Sequence, residues 1–95
     1  QVIMPMQKEN WAEMARISKL WTQDEEDNSD AWFYLGFAQK KMNNLDFAKL
    51  FLTQAHRLNA NHLDSLVELY EIAKKQNNTV TSERIKRKFF ASNLF

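Results

Sequence analysis

The residue types that could do chemistry are sparse in this chain. His56 and His62 are six residues apart and bracket a predicted turn, but they lack the neighbouring ligands that a metal site requires. Asp64 and Ser65 lie close to His62 in sequence, yet no nucleophile elbow accompanies them. The single glycine cannot form a phosphate-binding loop, and the lack of Cys excludes a catalytic thiol. We therefore expect no enzyme, no metal and no cofactor.

The charged residues are unevenly spread. The 95-residue chain has a net charge of +1, divided into −3 over residues 1–47 and +4 over residues 48–95. The acidic run 24–27 is typical of a solvated loop, with a site for a basic partner as the alternative. The basic run 84–88 is typical of an amphipathic closing helix, with nucleic acid or an acidic membrane surface as the alternative. Four cations are too few for strong nonspecific DNA binding, so no nucleic acid is expected.

Apolar residues recur every three or four positions along nearly the whole chain, which is the helical period. Five helices are predicted, at about 8–23, 29–42, 45–58, 62–76 and 81–93. The connecting loops are short, so neighbouring helices should be antiparallel. Asn residues fall between the helices, where they can adopt the left-handed conformation usually supplied by Gly. No apolar run approaches the length of a membrane span.

The chain contains an internal repeat, because it matches itself when one copy of the sequence is shifted along the other. Lys41-Met42-Asn43-Asn44 then falls on Lys75-Gln76-Asn77-Asn78. A period of about 34 residues that contains two helices is specific. A W-x-x-L-G signature is formed by Trp32, Leu35 and Gly36, and small residues follow on the next helix at Ala48 and Ala55. On these residues the chain resembles the tetratricopeptide repeat (TPR) family.

The resemblance implies an all-α fold in which antiparallel helical hairpins stack as a short right-handed superhelix of about five helices. Residues 1–95 would form one domain: the second helix of a partial repeat at 8–28, the best-matching repeat at 29–62, and a degenerate repeat with a capping helix at 63–95. Tyr70 departs from the pattern, because the residue equivalent to Gly36 should be small. Two and a half repeats are fewer than the roughly three that such arrays need, so association or a larger parent protein is expected.

The resemblance also implies a concave groove with an apolar strip of Phe33, Phe37 and Val67, flanked by lysines. Such a groove would hold a peptide or helix of a partner protein that has apolar anchors and some acidic character. The function expected is a non-catalytic protein–protein interaction module or scaffold. The groove residues implied are Asp30, Phe33, Phe37, Lys40, Lys41, Val67, Glu71, Lys74 and Lys75.

Two alternatives remain open for Phe33 and Phe37. They could pack on the N-terminal segment 2–6, or on a second copy of the chain. In the second case the chain would be a homo-oligomerisation domain. Because the chain begins with Gln1, a fragment of a longer or processed protein is expected. The compartment is unknown; the cytoplasm is slightly favoured, and a periplasmic location would require a targeting segment that has been removed.

Overall fold

The computed structural model describes residues 10–93, with side chains as far as residue 91. Over this range the chain forms five α-helices and no strand: α1 Trp11–Asp24, α2 Ser29–Lys41, α3 Leu45–Leu58, α4 Leu63–Lys75 and α5 Thr79–Asn93. The five predicted helices are thereby confirmed, with ends that lie close to the predicted ones. The predicted start of the first helix, residue 8, lies outside the described residues.

The ends of α2 and α4 show the same hydrogen-bonded motif at equivalent positions of the internal repeat. Asn43 has a φ of 65° and Asn77 a φ of 57°. The next N–H in each case reaches back to the preceding helix: Asn44 N–H donates to Gln39 O and Asn78 N–H to Ala73 O, both at 2.8 Å. This is the Schellman arrangement, in which a left-handed residue closes the helix. The expectation that Asn replaces Gly at these turns is confirmed.

Asn side chains also begin two of the helices. The Asn28 Oδ1 atom accepts the backbone N–H groups of Asp30 and Ala31, at 2.9 and 3.3 Å. The Asn78 Oδ1 atom accepts the N–H of Thr81 at 3.1 Å. Because Asn78 occupies this capping position, α5 begins at Thr79, earlier than the sequence predicts.

The helices pack as a stack of antiparallel hairpins. Each helix contacts the next along the chain, and α2 also contacts α4. The N-terminal ends of α2 and α4 meet where His62 Nε2 lies 2.9 Å from Asp30 Oδ1. Their C-terminal ends meet where Lys75 Nζ donates to Asn43 Oδ1 at 3.3 Å. The two helices therefore run side by side in the same direction, as equivalent helices of consecutive repeats must.

The hairpin of α2 and α3 is closed by small residues at its centre. A Cβ atom placed on Gly36 would lie 2.7 Å from Leu52 Cγ and 3.0 Å from Leu52 N. Leu52 is completely buried, as are Ala48 and Ala55 on the same face of α3. The signature residue Leu35 is also buried, whereas Trp32 is half-buried and donates its Nε1–H to Glu26 O at 2.9 Å. Small side chains thus let the two helix backbones approach.

The hairpin of α4 and α5 packs around different residues. Its core contains Leu66, Ala73 and Ile85. In the internal repeat, Tyr70 is the equivalent of Gly36, and Lys86 is the equivalent of Leu52. These larger and charged side chains cannot reproduce the close contact of Gly36 with Leu52. An apolar groove of about 250 Å³, here named the α4–α5 groove, is lined by Leu66, Val67, Tyr70, Ile85, Lys86, Phe89 and Phe90.

The closeness of α2 and α3 leads to a prediction for Gly36→Ala. The added methyl group forces α3 outward, which typically costs about 1–3 kcal/mol, while the better helix propensity of Ala returns about 1 kcal/mol. We expect a net loss of up to about 2 kcal/mol in the free energy of unfolding, measured by urea denaturation. A variant more stable than the wild type would show that α2 and α3 do not approach this closely.

None of the helices within residues 10–93 is both long enough and apolar enough to cross a membrane. The division of the chain into repeats at 8–28, 29–62 and 63–95 stays a prediction.

Candidate functional site

Aromatic side chains lie along one face of α2 and pack against aromatic side chains of α1. The rings of Phe33 and Phe37 stack with their centroids 5.8 Å apart, and Phe37 meets the Trp11 ring edge-on at 5.8 Å. Tyr34 stacks on Trp21 at 6.2 Å. All five side chains are half-buried, so each ring keeps part of its surface in water. We call this set of five residues the aromatic cluster.

Phe33 and Phe37 differ in what they contact. Phe33 packs against the buried cluster of Ala48, Leu52 and Ile72, and its ring centroid lies 5.1 Å from that of His62. The ring contacts of Phe37 are with Trp11 and Phe33 only, within the part of the chain that the structure describes. Phe33 is therefore partly a core residue, whereas Phe37 belongs to the surface of the cluster. The alternative packing on residues 2–6 lies outside the described residues.

Lys41 lies above the aromatic cluster. Its Nζ atom is 5.3 Å from the Phe37 centroid and 5.8 Å from the Trp11 centroid, within the range of cation–π attraction. The residue is exposed. An apolar surface and an accessible cation therefore lie next to each other on this face.

Lys40 has a different environment from Lys41. Its Nζ atom lies 2.5 Å from Glu68 Oε1 and also pairs with Glu71. Burial of the ammonium disfavours its charged form, but hydrogen bonds and charge attraction from Glu68 and Glu71 outweigh this and raise the pKa of Lys40. Only 14% of the Lys40 side chain is exposed. Lys40 thus joins α2 to α4 and is not accessible to a ligand.

The remaining implied groove residues lie on α4 or at the helix ends. Val67 is 37% exposed and lines the α4–α5 groove. Lys74 and Lys75 are exposed near the end of α4, where Lys75 contacts Asn43. Since α2 and α4 run in parallel, Asp30 and Asp64 lie at one edge of their shared face. The cations Lys41, Lys74 and Lys75 lie at the other.

A hydrogen-bonded chain of Ser65, His62 and Asp30 links α4 to α2. Ser65 Oγ is 2.8 Å from His62 Nδ1, and His62 Nε2 is 2.9 Å from Asp30 Oδ1. Sequence proximity had grouped Asp64 with His62 and Ser65, whereas the structure places Asp30, from the preceding repeat, at the histidine. The Ser65 hydroxyl is fully buried. The two hydrogen bonds connect the start of α4 to the start of α2.

The second histidine, His56, lies on α3 and is half-buried. Burial lowers the pKa of His56, and electrostatic repulsion from the nearby Lys88 and His62 side chains lowers it further. Among the residues that the structure describes, no three His, Cys, Asp or Glu side chains converge as a metal site would require.

Sequence reasoning missed two partners in this region. Trp11 was not included among the groove residues, yet its ring packs against Phe37. Glu68 was not included among the groove residues, although it pairs with Lys40 of the preceding repeat. No local spacing signals either contact, because each depends on how separate helices stack.

Comparisons of the chain with protein-family models, with curated proteins and with solved structures gave no match. The resemblance to the TPR family therefore rests on this chain's own residues: the internal repeat of two helices, the W-x-x-L-G signature and the small residues of α3.

Proposed function

We propose that this chain is a TPR-like, non-catalytic interaction module that holds a segment of another protein against the face formed by α2 and α4. The observation that carries the proposal is the accessible cation Lys41 above the half-buried rings of Phe37 and Trp11. Aromatic residues that keep one surface in water are the usual anchors of protein interfaces. The fold supplies a rigid support, because Phe33 fixes this face to the core.

The chemistry of the face determines the partner segment proposed. An apolar side chain would pack against Phe37, and a carboxylate one turn away would approach Lys41. Lys74 and Lys75 extend the positive edge along α4, so further acidic residues on the same side of the segment would be favoured. Lys40 adds no positive charge to this face, because it pairs with both Glu68 and Glu71 and the three side chains together carry a net negative charge. The segment is therefore an acidic amphipathic helix or an extended acidic peptide.

The test compares proteins captured from a lysate of the source cells by the immobilised wild-type chain and by a Phe37→Ala/Lys41→Glu variant. Phe33 is left unchanged, because it packs against the buried core cluster and its replacement would also lower the stability of the fold. We expect a specific protein to be retained by the wild type and lost from the variant, with affinity reduced at least ~30-fold by removal of a central anchor.

The matched control is Lys19→Glu/Leu20→Ala, which likewise reverses one charge and removes one apolar side chain, at exposed positions of α1. It should retain the same protein as the wild type, and circular dichroism should show equal helicity for all three chains. Retention of the same proteins by the Phe37→Ala/Lys41→Glu variant would refute the assignment of this face.

A further inference from the structure

The packing of α4 on the hairpin of α2 and α3 shows which residues allow a further helix to bind to such a hairpin. Leu69 and Ile72 of α4 pack in one cluster with Phe33 and Leu52. Glu68, immediately before Leu69, pairs with Lys40 of α2. The contact is thus made by an acidic residue followed by two apolar residues spaced three apart. The surface of the α2–α3 hairpin that receives α4, here named the seat, is apolar and has Lys40 at its edge.

The second hairpin carries the equivalent seat. In the internal repeat, Val67 is the equivalent of Phe33 and Lys86 the equivalent of Leu52, and both of these line the α4–α5 groove. Lys74 is likewise the equivalent of Lys40. Neither Lys74 nor Lys86 pairs with a carboxylate within residues 10–93. This seat therefore has apolar walls, two available cations and no described segment in it.

A complementary apolar stripe, Phe47 and Leu50, lies at exposed positions of α3 of the same chain, where Phe47 also stacks on Phe51 at 6.2 Å. Phe47 is 59% exposed and Leu50 is 61% exposed, and they are spaced three apart with Asp46 immediately before them. This is the acid–apolar–x–x–apolar order by which Glu68, Leu69 and Ile72 seat α4. Large apolar side chains paired on a surface mark an interaction site more often than isolated ones do.

We propose that α3 of one copy of this chain docks in the α4–α5 groove of a second copy. Phe47 and Leu50 enter the groove, and Asp46 faces Lys74 and Lys86. The interface does not involve Phe37 or Lys41, so it is independent of the proposed partner-binding face.

A head-to-tail contact of this kind leaves one stripe and one groove free on every assembly. Growth therefore continues with concentration unless the geometry closes a ring. Sedimentation of the full chain from micromolar to sub-millimolar concentration should show the average mass rising above the monomer value of 11.3 kDa.

Phe90, at the edge of the groove, is 51% exposed. The stripe variant Phe47→Glu/Leu50→Glu and the groove variant Phe90→Glu should each remain monomeric.

Mixing the two variants gives the decisive result. The stripe variant retains an intact groove and the groove variant an intact stripe, so an equimolar mixture should form a heterodimer of twice the monomer mass and grow no further. Leu20→Glu, which changes an apolar residue of 51% exposure on α1, is the control and should associate like the wild type. Circular dichroism should show the same helicity for all variants.

Several results of these experiments would contradict head-to-tail association. A wild-type chain that stays monomeric over the whole range, or a mixture that stays monomeric while the wild type associates, would overturn the proposal. Association that survives Phe90→Glu would also overturn it, because the interface would then lie elsewhere. So would binding of a different protein, sensitive to Phe90→Glu, by a chain that does not self-associate.

Discussion

Leu52→Ala should lower the free energy of unfolding by about 2–5 kcal/mol, the range for removing a buried leucine side chain. Leu52 is completely buried and packs in one cluster with Ala48 of its own helix and Ile72 of α4. It is also the residue that lies directly against Gly36 of α2. Its side chain therefore lies where α2, α3 and α4 meet, so its removal leaves a cavity that the packed helices can close only in part.

The size of this loss matters because the domain is small. A chain of this length typically has about 5–14 kcal/mol of stability, so Leu52→Ala would remove a large share. Urea denaturation followed by circular dichroism measures the change. Leu20→Ala is the matched control, since it makes the same substitution at 51% exposure on α1, outside both proposed interfaces, and should change stability by less than ~0.5 kcal/mol. Equal losses for the two variants would contradict the packing described for α3.

Leu52 and Gly36 should also be coupled. Gly36→Ala clashes with the Cγ atom of Leu52 as well as with its backbone nitrogen. In the Leu52→Ala background the side-chain clash is gone, and the penalty for Gly36→Ala should shrink. Residues in direct contact commonly show such non-additivity, at about 0.5–3 kcal/mol.

Features that depend on neighbouring residues were predictable from the sequence. The helix period identifies all five helices, and the positive φ angles of Asn43 and Asn77 follow from the need to end a helix without glycine. The pattern of Gly36, Ala48 and Ala55 indicates where α2 and α3 approach. In each case the cause lies within one helix, one turn or one repeat. The stack of antiparallel helical hairpins follows from these elements and their short loops.

Pairings between helices of different repeats were not predictable in this way. The contacts of Lys40 with Glu68 and of Asp30 with His62 join residues that are far apart in the sequence. They depend on the sideways register of α2 against α4, which no local spacing encodes. For the same reason, the sequence analysis placed Lys40 among the cations that flank the groove. It also treated Phe33 as equivalent to Phe37, although only Phe33 reaches the core.

In the α4–α5 hairpin, the sequence shows a departure from the repeat pattern but not how that departure changes the packing of the two helices. Tyr70 at the position equivalent to Gly36 is visible in the sequence. Whether the two helices separate, shift or rotate depends on all the side chains between them. The structure answers this with an open apolar groove lined by Tyr70 and Lys86. The substitution that makes the repeat irregular thus produces the surface on which self-association is proposed.

Lys40→Met should lower the free energy of unfolding by about 1–3 kcal/mol at neutral pH, because Met keeps the apolar stem of the side chain but leaves Glu68 without its cation. The loss of a fully buried pair costs about 3–5 kcal/mol, and this pair should cost less because 14% of Lys40 and 15% of Glu68 are exposed. Lys19→Met, on the exposed surface of α1, is the matched control and should be nearly neutral. A double variant with Glu68→Gln should recover part of the loss, since the isolated charge is then removed.

The pH dependence of that difference identifies the ion pair as its cause. The pKa of Lys40 is raised above its ordinary value of 10.5 in the folded chain, so the folded state holds the proton more tightly than the unfolded state. The stabilisation is therefore fully present below the ordinary pKa and is lost as pH rises through the folded pKa. The difference between wild type and Lys40→Met should stay constant from neutral pH to about pH 10 and shrink only above it. If the difference vanished already between about pH 8 and pH 9, the ammonium of Lys40 would be losing its proton more easily than an ordinary lysine. Burial would then outweigh the two glutamates, and the link between α2 and α4 would have to rest on packing alone.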